Sequence, residues 1–216
     1  IHSMTARSST HGPGLLQLNT GFVLDGFPSM GAWLSMAMGN LTDNLPTYVS
    51  IPDVRGLPPN GPANWGSGFL PAAFQGTAFN AEKPLSNMGS GKVSASDVRL
   101  RRELERLDQH FNASRGGDSD ITARMKSYAL AAKMQLAAPE ATDLRKETAA
   151  THALYGTTSS NPLEAAYARN ALLSRRLLER GVRFVQLWSG TSTGEGDWDG
   201  HKGCEKNHQT QAAKTD

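Results

Sequence analysis

The sequence predicts an α/β fold, a mainly parallel β-sheet flanked by helices. Three observations carry that expectation. A helical pattern from Asn161 to Gly181 runs at once into the apolar stretch Val182–Trp188, which opens into a Gly/Ser/Thr loop. Helix, tight glycine turn, strand and polar loop form the αβ half of a βαβ unit, and the strand of such a unit lies in a parallel sheet covered on both faces. A second short strand, Tyr48-Val49-Ser50-Ile51, is entered from Leu45-Pro46, and between the two strands helical periodicity dominates.

Composition sets the limits. The 216 residues are 38% hydrophobic and 19% charged, enough for one substantial core or two small ones in an ordinary globular chain. No apolar run is long enough to span a membrane. Lys and Arg outnumber Asp and Glu by only 22 to 20. The local basic run Arg99, Arg101, Arg102 and Arg106 is interleaved with Glu103, Glu105 and Asp108, which marks a solvated helix face and argues against a nucleic-acid surface. The single cysteine, Cys204, excludes an internal disulfide and a Cys-rich zinc site. The chain starts at Ile1 without a leader and stops at Thr215-Asp216 in a polar segment, so it reads as a fragment truncated at both ends.

Taken in order, the elements fall into three parts of one domain: a loop-rich part over residues 1–91, a helical part over 92–180, and a strand with its following loop over 181–216. Nine of the eleven prolines lie at or before Pro84, hence short elements joined by loops in the first part. Within it Ser29 caps a short helix through Trp33 and Met36 that stops at Gly39. Pro58 to Gly76 is a long irregular excursion, either a binding or lid loop or a packed surface loop holding Trp65 and Phe69. From Asp97, Leu100, Leu104, Leu107 and Phe111 share one helix face that ends before Gly116-Gly117; a second helix after Asp120 carries Ile121, Met125, Tyr128 and Ala132. Both stripes are expected to face the core. In the third helix Asn161 is the N-cap, Pro162 opens the first turn, and Tyr167, Leu173 and Leu177 line one face.

The last part holds the chemistry. After the strand come Gly196, Asp197, Trp198, Asp199, Gly200 and His201, two carboxylates and an imidazole beyond the carboxyl end of a strand, where open α/β sheets bind ligands. Asp199 and His201 offer one hard oxygen and one borderline nitrogen, a pair that zinc and other divalent ions accept. Asp197 is a third ligand, a partner that orients His201, or a plain loop carboxylate. His208, near Glu205, reads as an exposed helix residue, and His2, His110 and His152 as structural.

Several separate motifs, in order along the chain, resemble a bacterial family catalogued as domain of unknown function 1501. They are the run Thr10 to Gly21 (THGPGLLQLNTG), Gly26 to Leu34 (GFPSMGAWL), Asn44-Leu45-Pro46, Trp65 to Pro71 (WGSGFLP), Arg175 to Gln186 (RRLLERGVRFVQ), and the Trp-Asp-x-His signature at Trp198 to His201. That family is similar to sulfatases and belongs with the alkaline-phosphatase-like α/β hydrolases. The resemblance implies a metal-dependent hydrolase of phosphate or sulfate esters acting on a small-molecule or saccharide ester. It also implies a divalent cofactor, zinc first with manganese or calcium as alternatives, and an exported, periplasmic location. Family members run past Asp216 into further metal-ligand segments, so the site in this chain is a partial one.

Sulfatases carry a Cys-x-Pro-Ser-Arg segment running to a Thr-Gly pair. Counting back from Thr20-Gly21 puts Pro13 on the proline and His11 on the nucleophile. With neither cysteine nor serine there, a formylglycine mechanism is unsupported. His11 is then a metal ligand, a general acid or base, an anion holder at a helix start, or the cap of a Gly/Pro turn. Thr10 becomes the nucleophile if the register slips by one. Asn19 and Thr20 are candidate substrate contacts or turn formers before Gly21. A non-catalytic alternative is a binding protein for an anionic saccharide or surface polymer, with Trp65, Trp188 and Trp198 as stacking faces.

Overall fold

The computed structural model describes residues 3, 5–82, 94–116, 119–192 and 197–216. His2, Gly117, Gly196 and the composition boundary near residue 92 lie outside the described residues. The elements run α1 (His11–Thr20), α2 (Met30–Met38), β1 (Tyr48–Ile51), β2 (Thr77–Ala78), α3 (Ala95–Ser114), α4 (Ser119–Thr142), α5 (Ala149–Tyr155), α6 (Pro162–Glu179), β3 (Phe184–Leu187) and α7 (Cys204–Thr215). The three strands form a small open sheet, order β2-β1-β3, parallel throughout. Val49 stands opposite Thr77 on one side and Val185 on the other.

The middle strand is buried along its whole length, so its alternating side chains serve two layers. Val49 and Ile51 enter a core made with Leu45, Phe79 and Val182 and with the apolar faces of α4 (Met134, Ala138) and α6 (Leu173, Leu177). Tyr48 and Ser50 point the other way. The Tyr48 ring lies against Gly31 of α2, where a Cβ would stand 2.5 Å from it, and Ser50 Oγ accepts a hydrogen bond from Trp188 Nε1 at 2.9 Å. Burial pushes the Tyr48 phenol well above its ordinary value, against the opposing pull of a hydrogen bond with Ser29.

Local signals explain where the flanking helices begin and end. Ser29 Oγ accepts from Ala32 N at 3.4 Å, capping α2, and donates to Gly66 O at 3.0 Å, tying the cap to a distant loop. Asn161 accepts from Leu163 N at 3.0 Å at the start of α6. Gly181, with φ of 94°, makes the left-handed turn from α6 into β3. Arg176 of α6, buried, donates to Ala141 O at 3.0 Å and Glu140 O at 2.9 Å and so closes the end of α4. No described helix is long and apolar enough to cross a membrane.

The excursion after β1 is the crossover between two parallel strands, which a hairpin cannot join. Two short 3-10 turns, Gly61–Trp65 and Ala72–Phe74, break it up. Trp65 is interior and packs on Trp188 with ring centroids 5.9 Å apart, whereas Phe69 stays 65% exposed.

One expectation is overturned. The α3 stripe is surface, with Leu100, Leu104, Leu107 and Phe111 between 49% and 65% exposed. The principal neighbour of α3 is α4, and their bond from Asn112 Nδ2 to Thr122 Oγ1, at 2.9 Å, lies at the hairpin end. The core face of α4 is Met134, Ala138 and Ala141, while Tyr128 is exposed.

Candidate metal centre

The loops beyond the carboxyl ends of β1 and β3 are bound together by a buried ionic bracket. Asp53 follows β1: its Oδ1 accepts from Arg55 N at 3.0 Å and Arg55 Nε at 2.9 Å, and its Oδ2 from Arg55 Nη2 at 2.8 Å and Gly190 N at 3.0 Å. The same Nη2 donates to Asp197 Oδ1 at 2.8 Å. The other oxygen of Asp197 accepts from Thr191 N at 2.8 Å and Thr191 Oγ1 at 3.1 Å. Both carboxylates are buried, which is tolerable because each is paired and hydrogen-bonded. Burial alone would raise the Asp53 carboxyl, yet the hydrogen bonds and charge of Arg55 hold it below its ordinary value. Lys214 of α7 places Nζ 3.9 Å from Asp53 Oδ2. Burial and the Arg55 charge lower its ammonium, outweighing the attraction of Asp53 and Asp197.

This bracket fixes the start of the next turn, and α7 fixes the rest. Asn207 Nδ2 donates to Asp197 O at 2.9 Å, and His208 Nε2 lies 2.9 Å from Trp198 O, its only possible role there being donor. Trp198 Nε1 donates to Ser189 Oγ at 3.3 Å. At Gly200 a Cβ would lie 3.1 Å from Cys204 Cα, so the turn packs close on the start of α7.

Held in this way, Asp199 meets two imidazoles. Its Oδ2 is 2.7 Å from His201 Nε2 and 2.8 Å from His11 Nε2, although His11 lies 188 residues earlier in the chain. His11 is the first residue of α1, and Asn60 Nδ2 anchors that helix start by donating to Gly12 O at 2.6 Å. One ligand atom from each of His11, Asp199 and His201 lies within 4.8 Å of the others. Desolvation raises the Asp199 carboxyl, but hydrogen bonds from His11 and His201 bring it below its ordinary value.

Of the other residues singled out from sequence, Asp197 stands apart from this cluster, its oxygens committed to Arg55 and Thr191. Thr10 is the N-cap of α1, with its hydroxyl 3.0 Å from Ser8 Oγ. Asn19 and Thr20 sit at the opposite end of α1, about 12–14 Å along the axis from His11 at 1.5 Å per residue. Asn19 is a buried structural residue: its Nδ2 donates to Asn64 Oδ1 at 3.3 Å and its Oδ1 accepts from Gln186 Nε2 at 2.6 Å. Thr20 Oγ1 donates back to Leu16 O at 2.7 Å. Sequence reasoning missed Asp53, Arg55, Lys214, Asn207 and the backbone bond of His208. A charged pair set directly after a fully buried strand was the available signal for the first two.

Fold and site together define a mixed α/β protein with a His/Asp/His cluster beyond the sheet. The chain belongs to the family described as "Protein of unknown function (DUF1501)", whose model matches residues 1–216. No curated protein and no solved structure matches it.

Proposed function

We propose that His11, Asp199 and His201 hold a divalent ion, zinc foremost, and that the chain is part of a sulfatase-like, alkaline-phosphatase-like hydrolase of phosphate or sulfate esters. The observation that carries this reading is the convergence of two imidazole nitrogens on one carboxylate oxygen, at 2.7 and 2.8 Å, from opposite ends of the sequence. Two nitrogens and one oxygen make a donor set that suits zinc, and three protein ligands leave a coordination position for water or substrate. An ion bound there polarises a phosphoryl or sulfuryl oxygen and lowers the pKa of a coordinated water.

The residues of the chain supply the rest. The amino end of α1 begins at His11, so the positive end of the helix dipole faces the same space and favours an anionic ester. Arg55, through Asp197, and Asn207 and His208, through the backbone, hold the turn that presents Asp199 and His201. The non-catalytic alternative needs tryptophan faces open to a saccharide. Of its three, Trp65 and Trp188 are packed on one another and Trp198, 41% exposed, stays open, so a continuous stacking platform is lacking and the hydrolase is favoured.

Elemental mass spectrometry of the purified chain beside an Asp199→Ala/His201→Ala double variant tests the proposal. About one equivalent of zinc, manganese or calcium in the parent and none in the folded variant is the expected result, with aryl phosphate or sulfate turnover tracking the metal. A folded parent that takes up no divalent ion when one is supplied overturns it.

A further inference from the structure

The α3 face has the spacing of a coiled-coil seam. Leu100, Leu104, Leu107 and Phe111 follow one another at steps of four, three and four residues, so Leu100 and Leu107 take heptad position d, and Leu104 and Phe111 position a. All four are about half exposed or more, and the described side-chain bond from α3 to the neighbouring α4 is that of Asn112 to Thr122. A helix carrying a continuous apolar stripe into water is a surface built for a partner.

The flanking charges say which partner. Positions e are Arg101 and Asp108, and positions g are Glu103 and His110. Two parallel copies would set Glu103 of one against Asp108 of the other, twice, a like-charge clash. Two antiparallel copies stack Leu100 on Phe111 and Leu104 on Leu107. That arrangement also sets Arg101 beside Asp108 at both e–e′ positions and Glu103 beside His110 at both g–g′ positions. The charge of Arg101 also acts on Asp97, one turn earlier on the same helix, an exposed relation that does not bar a second carboxylate. A net charge of +2 offers little long-range repulsion.

We propose that α3 pairs antiparallel with α3 of a second copy of this chain, through Leu100, Leu104, Leu107 and Phe111, with the Arg101–Asp108 pairs setting orientation. Four layers of seam bury less than a standard interface of about 1,600 Å², so dissociation constants on the order of tens of micromolar are expected.

Sedimentation velocity on the 216-residue chain, from about 5 to about 500 µM, measures this directly. The wild type should pass from monomer to dimer within that range, and L107K should stay monomeric. R101D or D108R alone should weaken dimerisation about ten-fold, and the double swap R101D/D108R should restore it. Because these side chains lie outside the core, circular dichroism should show the same helix content throughout. A wild type that remains monomeric at the highest concentration overturns the proposal. So does a dimer indifferent to L107K, or one that the single reversals leave as tight as before. A double swap that fails to rescue excludes the antiparallel arrangement.

Discussion

Asp197 and Asp199 are separated by one residue and have opposite fates. One is locked under Arg55 and Thr191 and the other opens to two imidazoles. Nothing local distinguishes them, because the choice is made by Arg55, 142 residues away in sequence. The sequence could nominate Asp199 and His201 from their place after a strand, but could not separate the carboxylate that meets the imidazoles from the one in the bracket. The bracket has its own pH signature. The folded-state pKa of Asp53 is lowered, so its contribution is full above the ordinary value of 3.8 and is lost as pH falls through the lower folded value. Asp53→Asn should therefore cost of order 3 kcal/mol at pH 7, since it breaks a buried pair. The difference from wild type should narrow steadily in urea unfolding below about pH 4. A gap unchanged at acid pH would mean that Asp53 contributes by shape and not by charge.

Elements whose ends carry their own chemistry were legible. Ser29 with Gly39, Asn161 with Pro162, and Gly181 delimit α2 and α6 as their residue types predict, and Tyr48–Ile51 and the strand after Gly181 are two of the sheet's three strands. What periodicity cannot reveal is what covers a face. The α3 stripe and the α4 core residues show similar spacing, yet only the latter meet β1, because burial is decided by neighbours brought in by tertiary packing. Its prolines and glycines mark the stretch after β1 as irregular, but the cause, a parallel neighbour two dozen residues later, needs the pairing of Val49 with Thr77. Ser29 does two jobs at once, capping α2 and holding Gly66. Ser29→Ala should accordingly cost about 2 kcal/mol, the upper end for a lost cap, in chemical denaturation with an unchanged m-value. A loss of only a few tenths would assign the Gly66 contact no weight.

At the scale of the whole molecule, the cluster joins the first helix to the last turn, so occupancy of the proposed site should stabilise the chain as a unit. Zinc at about one hundred times its dissociation constant adds about 2.7 kcal/mol, and a chain of this size gains roughly 2–4 °C per kcal/mol. A rise of about 5–10 °C in thermal midpoint, reversed by chelator and absent from the Asp199→Ala/His201→Ala variant, is expected. No shift with zinc, manganese or calcium would argue against the site. The strand order has a consequence of its own. Of the three described strands the middle one is made before the others, and it finds its β3 partner only when residue 187 has been synthesised. At about 5–20 residues per second, one side of β1 stays unpaired on the ribosome for on the order of ten seconds. During that interval it is a ready template for another nascent chain. Covering four residues, Tyr48 to Ile51, while translation continues should therefore raise the yield of folded chain.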